Sequence, residues 1–97
     1  MSLTQKQKRQ LKALAHHLKP VVLVGQHGLT EGVFNELESA LDAHELIKVR
    51  LSGADRDERQ AMQQAIGAKT GAYLIQQIGH IAVYFRRNLK KPRIVLS

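Results

Sequence analysis

The segment KPVVLVGQHGLTEG, residues 19–32, sets the tightest limit on what this chain can fold into. Val21 to Val24 form a continuous aliphatic run of strand length, bounded by Pro20 before it and Gly25 after it. Without polar alternation, such a run reads as a strand covered on both faces. Thr30 is a good N-cap, so the chain passes from strand to helix across Gly25-Gln26-His27-Gly28. That loop carries two glycines and brings bare backbone to the surface beside the positive end of a helix dipole.

The flanking sequence supplies the other elements. Thr4 followed by Gln7 is a capping box, and Leu11, Leu14, Ala15 and Leu18 recur at helical spacing, which predicts a first helix from about Thr4 to His17, ended by Pro20. Val33, Leu37, Ala40, Leu41 and His44 trace one face of a second helix. Leu46 to Leu51 alternates, with Ile47, Val49 and Leu51 on one side, as a half-covered strand does. After the loop SGADRDE, Asp55 with Glu58 caps a third helix that runs to about Thr70, and Gly71 stops it. Ala72 to Ile78 and Ile81 to Arg86 flank Gly79-His80, a two-residue hairpin linker. Residues 87–97 form a basic tail. The fold class expected is α/β: one two-layer domain over residues 1–97, order α-β-α-β-α-β-β, with helices covering one face of a four-stranded mixed sheet. In that arrangement Ile81, Val83 and Phe85 face the helices, whereas Ala82, Tyr84 and Arg86 face outward and Arg86 shares an open face with Lys48 and Arg50.

Composition narrows the function. A chain of 97 residues supports one modest core. The absence of cysteine excludes disulfides and thiolate zinc sites and fits a reducing, cytoplasmic setting. There is no signal-peptide pattern and no apolar run long enough to span a membrane, so a soluble protein is expected. Net charge is +7, yet all 8 acidic residues lie between Glu31 and Glu58. Lys6, Lys8, Arg9, Lys12 and Lys19 crowd the beginning of the chain, and Arg86, Arg87, Lys90, Lys91 and Arg93 crowd the end. If the termini meet on one side, they form a positive surface suited to nucleic acid. A membrane surface fits less well, because the basic segments lack aromatic anchors.

Catalytic and cofactor patterns are absent. The glycine loop lacks the Lys-Ser/Thr pair of a P-loop and the glycine spacing of a dinucleotide fold, so no small-molecule substrate is expected. The 5 histidines do not fall at metal-ligand spacing, and no nucleophile triad or paired carboxylates stand out. Among the aromatics, Phe34 and Phe85 read as core, and Tyr84, two residues from Arg86, is the candidate for base stacking. The acidic face of the second helix, Glu31, Glu36, Glu38 and Asp42, allows a different function, an adaptor that docks on a protein.

LKALAHHLKPVVLVGQHGLTEGV followed by ESALDAHELIKVRL resembles the CRM domain (chloroplast RNA splicing and ribosome maturation) in its stand-alone bacterial, YhbY-like form. KPVV, G-x-x-G-LTEGV and HELIKV, in that order, carry the resemblance along essentially the whole chain. It implies a fold similar to the C-terminal domain of translation initiation factor three, with RNA binding and association with precursors of the large ribosomal subunit. It also implies an RNA binder with neither enzymatic activity nor a cofactor. A monomer is expected. The RNA contacts proposed for the family fall here on Gly25, Gln26, His27 and Gly28, with Lys12, Lys19, Lys48 and Arg50 around them. Many members carry Lys or Arg inside the loop. Gln26 and His27 stand there in this chain, which leaves the backbone and the surrounding cations to supply the contact. The adaptor reading would dock on a ribosomal protein.

Overall fold

The computed structural model describes residues 2–53 and 55–97. Its elements are α1 (Gln5–Ala15), β1 (Pro20–Val24), α2 (Glu31–His44), β2 (Leu46–Leu51), α3 (Arg56–Thr70), β3 (Tyr73–Ile78) and β4 (Ile81–Phe85). The expected caps are formed. Thr4 and Gln7 close a reciprocal capping box, each bond 3.0 Å long. The Thr30 hydroxyl accepts from the Val33 amide, and the Asp55 carboxylate accepts from the Glu58 amide at 2.8 Å. Gly71, at φ 75°, ends α3 in the left-handed conformation that favours glycine. The loop expected before α3 includes residue 54, which lies outside the described residues.

The sheet is mixed, in the order β1-β2-β4-β3. β1 runs parallel to β2, and β4 lies antiparallel between β2 and β3. Strand alternation then divides the apolar residues between two faces. Val22, Val24, Ile47, Val49, Leu51, Ala82 and Tyr84 pack with Leu37 and Leu41 of α2 and Ile66 of α3. Leu46, Val83, Phe85 and Ile75 pack instead with Leu11 and Ala15 of α1, joined by Ile94 and Leu96 of the tail. Helices therefore cover both faces, where the sequence suggested one. The first helix needs only a two-residue stripe, Leu11 and Ala15, to seat itself on the opposite face. Each fully buried leucine of either cluster contributes about 1.5–3 kcal/mol relative to exposure.

Two further expectations change with this layering. β1 is an edge strand covered on one face: Val22 and Val24 are buried, but Val21 and Leu23 are 52% and 58% exposed. α1 packs mainly over β2, β3 and β4. On β4 the inward and outward sets are not opposed, because each set meets its own helical layer.

The tail is ordered by one carboxylate. Glu45 links α2 to β2 with φ 62°, the one non-glycine residue among those described with positive φ, and its side chain is wholly buried. Its Oε1 accepts from the amides of Arg93 (2.7 Å) and Ile94 (2.9 Å), and its Oε2 from the amide of Asn88 (2.7 Å). The Arg87 guanidinium donates to Oε2 at 3.1 Å and also to the Ile94 carbonyl. The strained backbone costs about 1–3 kcal/mol, which charge-assisted bonds of about 1.5–3 kcal/mol each offset. The tail then crosses to α1, where Gln10 bonds to Val95 and Ser97 and Gln7 bonds to Ser97. It adds no strand.

Burial raises the Glu45 pKa, but the three backbone amides and Arg87 outweigh it and hold the carboxyl below its ordinary value. A depressed carboxylate pKa contributes stability that is present above the unfolded-state value and is lost as pH falls through the folded-state value. Glu45→Gln, which replaces one acceptor oxygen by a donor, is expected to destabilise the protein by about 2–4 kcal/mol in urea unfolding. In hydrogen exchange the Asn88, Arg93 and Ile94 amides should lose protection together, both in this variant and in the wild type as pH drops below about 4.

Candidate nucleic-acid interface

The glycine loop is a tight turn fixed at both ends. Ser52 donates its amide to the Val24 carbonyl at 2.9 Å, which ties the loop entrance to the end of β2. The Gly28 amide then bonds to the Gly25 carbonyl at 3.0 Å, and Thr30 bonds back to Gly28 at 3.1 Å before capping α2. Leu29 packs into the core behind the turn. Gln26 and His27 at its tip are exposed. The two glycines differ in kind. Gly28, at φ 72°, is required by the backbone, whereas Gly25 has no positive φ and a Cβ built on it would meet nothing within 4 Å. The fold itself places no demand for glycine at position 25.

Around the loop end of the sheet lie Leu51, Ser52 and the β3–β4 turn, where His80 Nδ1 is 3.1 Å from the Leu51 carbonyl oxygen. Lys48 and Arg50 point to the α1 side of β2, as expected, since the residues between and beside them, Ile47, Val49 and Leu51, are buried on the other side. Lys48 is half-buried and Arg50 exposed. α1 carries Lys8, Arg9 and Lys12 on this layer, and Lys19 precedes β1. Lys8, Arg9, Lys12, Lys19, Lys48 and Arg50 have no ion-pair partner among the described residues.

The acidic residues are on the other layer. Glu31, Glu36, Glu38 and Asp42 belong to α2, and Asp55, Asp57 and Glu58 belong to the start of α3. Glu45 is buried. No acidic residue lies in α1, in a strand or in the tail. Separation along the sequence has become separation across the sheet.

Three expected site residues fall away. Tyr84 is 0% exposed and packs in the core under α3, its hydroxyl donating to the Gln63 carbonyl at 3.0 Å. Burial pushes its phenol pKa up, so it remains a donor and has no face for a base. Arg86 points to the α2–α3 layer instead of sharing a face with Lys48 and Arg50. Its guanidinium donates to Glu38 at 2.7 Å, to Asp42 at 2.9 Å and to the Thr70 carbonyl at 2.9 Å. Arg87 is held by Glu45 and lies over the Phe85 ring at 5.4 Å. The same pairing engages half of the acidic face that an adaptor would use.

Lys90 and Lys91 are exposed, but their amides bond to Asn88, which is itself bound to the Asp42 carbonyl. They therefore lie at the C-terminal end of α2, and the glycine loop lies at its N-terminal end. A helix of 14 residues separates them by about 20 Å. The exposed aliphatics of the α1 side, Val21, Leu23 and Ile78, were not expected from the sequence. The unalternated run of β1 holds the first two and reads equally well as a strand buried on both faces.

The fold is that of a small α/β protein: a mixed sheet with helices on both faces, a rigid glycine turn and an acid-free basic layer. The chain matches the model of the CRS1/YhbY (CRM) domain over residues 3–86, and it belongs to that family. It is 52% identical over its whole length to a probable RNA-binding protein of Pseudomonas aeruginosa, of which it covers 92%. It is 55% identical to an RNA-binding protein of Haemophilus influenzae, with 88% of this chain and 86% of that one aligned. The solution structure of a hypothetical protein from Staphylococcus aureus matches with a TM-score of 0.83 at 31% identity, covering 99% of this chain and 100% of that one.

Tyr84→Phe separates a core role from a surface role. Loss of the hydroxyl removes a buried hydrogen bond to the Gln63 carbonyl, which keeps its bond within α3, so stability should fall by about 0.5–1.5 kcal/mol, or roughly 2–10 °C in Tm by calorimetry. A tyrosine that stacked on a ligand from the surface would leave Tm unchanged.

Proposed function

We propose that this protein binds RNA by its sugar-phosphate backbone, through the amides of Gln26 and His27 at the tip of the Gly25–Gly28 turn and the cations of the α1 layer, and that its target is ribosomal RNA in precursors of the large ribosomal subunit. The observation that carries the reading is the placement of every exposed acid away from that layer, beside a turn whose first glycine the fold does not need. Lys12, Lys19, Lys48 and Arg50 neutralise phosphates, and Lys8 and Arg9 extend the positive strip along α1. Gln26 and His27 add hydrogen-bond donors at the tip. Relatives carrying the name RNA-binding protein support the choice of RNA. The family resemblance supports the ribosomal target. No step of this reading calls for catalysis or a cofactor.

Phosphate contacts release counterions. With about five contacts to single-stranded RNA, affinity for a protein-free ribosomal RNA fragment should fall roughly a hundredfold between 50 and 200 mM salt, from a slope near −0.7 per contact. Lys12→Glu with Lys48→Glu should flatten that slope by about one to two units. Lys90→Glu with Lys91→Glu should weaken only RNAs long enough to reach from the loop to the far end of α2. Fluorescence anisotropy with a short and a long oligonucleotide reads both effects, and a salt-independent affinity would refute backbone binding.

The two glycines supply a separate test. Gly28→Ala is expected to cost about 1–2 kcal/mol through its left-handed backbone. Gly25→Ala should leave the unfolding curve unchanged within about 0.5 kcal/mol while weakening RNA binding several-fold, because its methyl intrudes where a backbone would approach. Unchanged RNA affinity for Gly25→Ala would remove the turn from the interface.

A further inference from the structure

The α1 side of the sheet holds, between the cations assigned to phosphates, aliphatic side chains that phosphate binding does not use. Pairing register aligns Leu23 with Arg50, Arg50 with Ile81, and Ile81 with Ile78, one residue from each strand. Residues paired across strands project to the same face. The row thus crosses the whole sheet, about 14 Å at the usual strand spacing, two residues before the glycine turn. Leu23 is 58% and Ile78 65% exposed. In a chain of this size, large aliphatics on a regular sheet ordinarily gain by being covered, and exposed ones at both ends of one row mark a contact surface.

Beside the row lies a cleft of about 170 Å³ lined by His16, Lys48, Gln76, Ile78, Ile81 and Val83. Its floor is aliphatic and its rim carries an imidazole, an ammonium and a carboxamide. Gln76 offers a donor and an acceptor together. The whole face is acid-free, and Arg50 stands in the middle of the aliphatic row.

We propose that this face receives unstacked bases of single-stranded RNA, with aliphatic side chains and the Arg50 guanidinium plane against the base faces and His16 and Gln76 at the base edges. The proposal rests on the RNA-binding reading above and deepens it: the substrate is unpaired RNA. Three features select this occupant. Cations without any carboxylate complement a polyanion. Paired donors and acceptors match base edges, whereas an acidic peptide would be served by cations alone. The row also continues directly into the glycine turn, so a strand held there by its phosphates has its bases over the sheet. Duplex RNA keeps its base faces stacked and cannot use them here.

The test is a cycle of base removal and side-chain change. Leu23→Thr with Ile78→Thr keeps strand-favouring residues at two exposed positions, so the fold is retained. Affinity is measured by anisotropy for a single-stranded oligoribonucleotide, for its abasic counterpart with the same phosphates, and for the duplex. The wild type should bind the intact strand about tenfold more tightly than the abasic strand or the duplex. The double variant should lose that preference, with its salt slope unchanged because no phosphate contact is lost. Equal wild-type affinity for intact and abasic strands overturns the base platform while leaving backbone binding in place, and it requires no variant. A double variant that keeps the full preference also overturns it and assigns the aliphatic row to a protein partner. Absence of any salt-dependent RNA binding would sink the backbone reading and this one with it.

Discussion

The buried carboxylate of Glu45 is the interaction on which the arrangement of layers depends. Glu45 ends α2 and precedes β2, and its fully buried side chain holds three tail amides and Arg87. α2 belongs to one side of the sheet, and the tail and α1 belong to the other. A single side chain therefore joins the two layers that sandwich the strands. A buried carboxylate tolerates desolvation only when its lone pairs are filled, and here both oxygens accept at least two bonds. The same bonds explain why residue 45 persists with a backbone conformation that glycine would adopt more readily.

Charge is organised by the same architecture. The end of the chain looks uniformly basic, but it divides into Arg86 and Arg87, which are consumed in ion pairs, and Lys90, Lys91 and Arg93, whose side chains are exposed. Arg86 joins α2 to α3 through Glu38, Asp42 and Thr70, and Arg87 serves Glu45. Planar guanidinium groups suit such multiple bonding, while the compact lysine ammonium stays hydrated at the surface. The positive field of the α1 layer is therefore set by Lys8, Arg9, Lys12, Lys19, Lys48 and Arg50. The acids of α2 and α3 lie behind the sheet.

The glycine turn and the sheet face then form adjoining parts of one side. Backbone hydrogen bonds from Ser52, Gly28 and Thr30 fix the turn against the ends of β1 and β2. A turn held this firmly presents its amides with little ordering cost. The neighbouring strands offer aliphatic surface and cations together, a combination that neither a buried core nor a merely solvated face requires.

What the sequence determined by itself was local. Thr4 with Gln7, Asp55 with Glu58, Gly71 and the Gly79-His80 turn mark element ends through bonds within a few residues, and these were legible because both partners lie in one short window. The glycine turn was legible for the same reason, as were the directions of Lys48 and Arg50 from the alternation of β2. Tertiary structure alone decided which face each strand covers. The run Val21 to Val24 reads the same whether one face or two is buried; the edge position of β1, beside the strands that α1 packs over, left Val21 and Leu23 exposed. Tyr84 became core and Arg86 a brace because α2 and α3 meet β4 on that side, and Glu45 acquired its role from a tail more than 40 residues away. Periodicity specifies alternation along a strand. The side that meets water is set by partners distant in the chain.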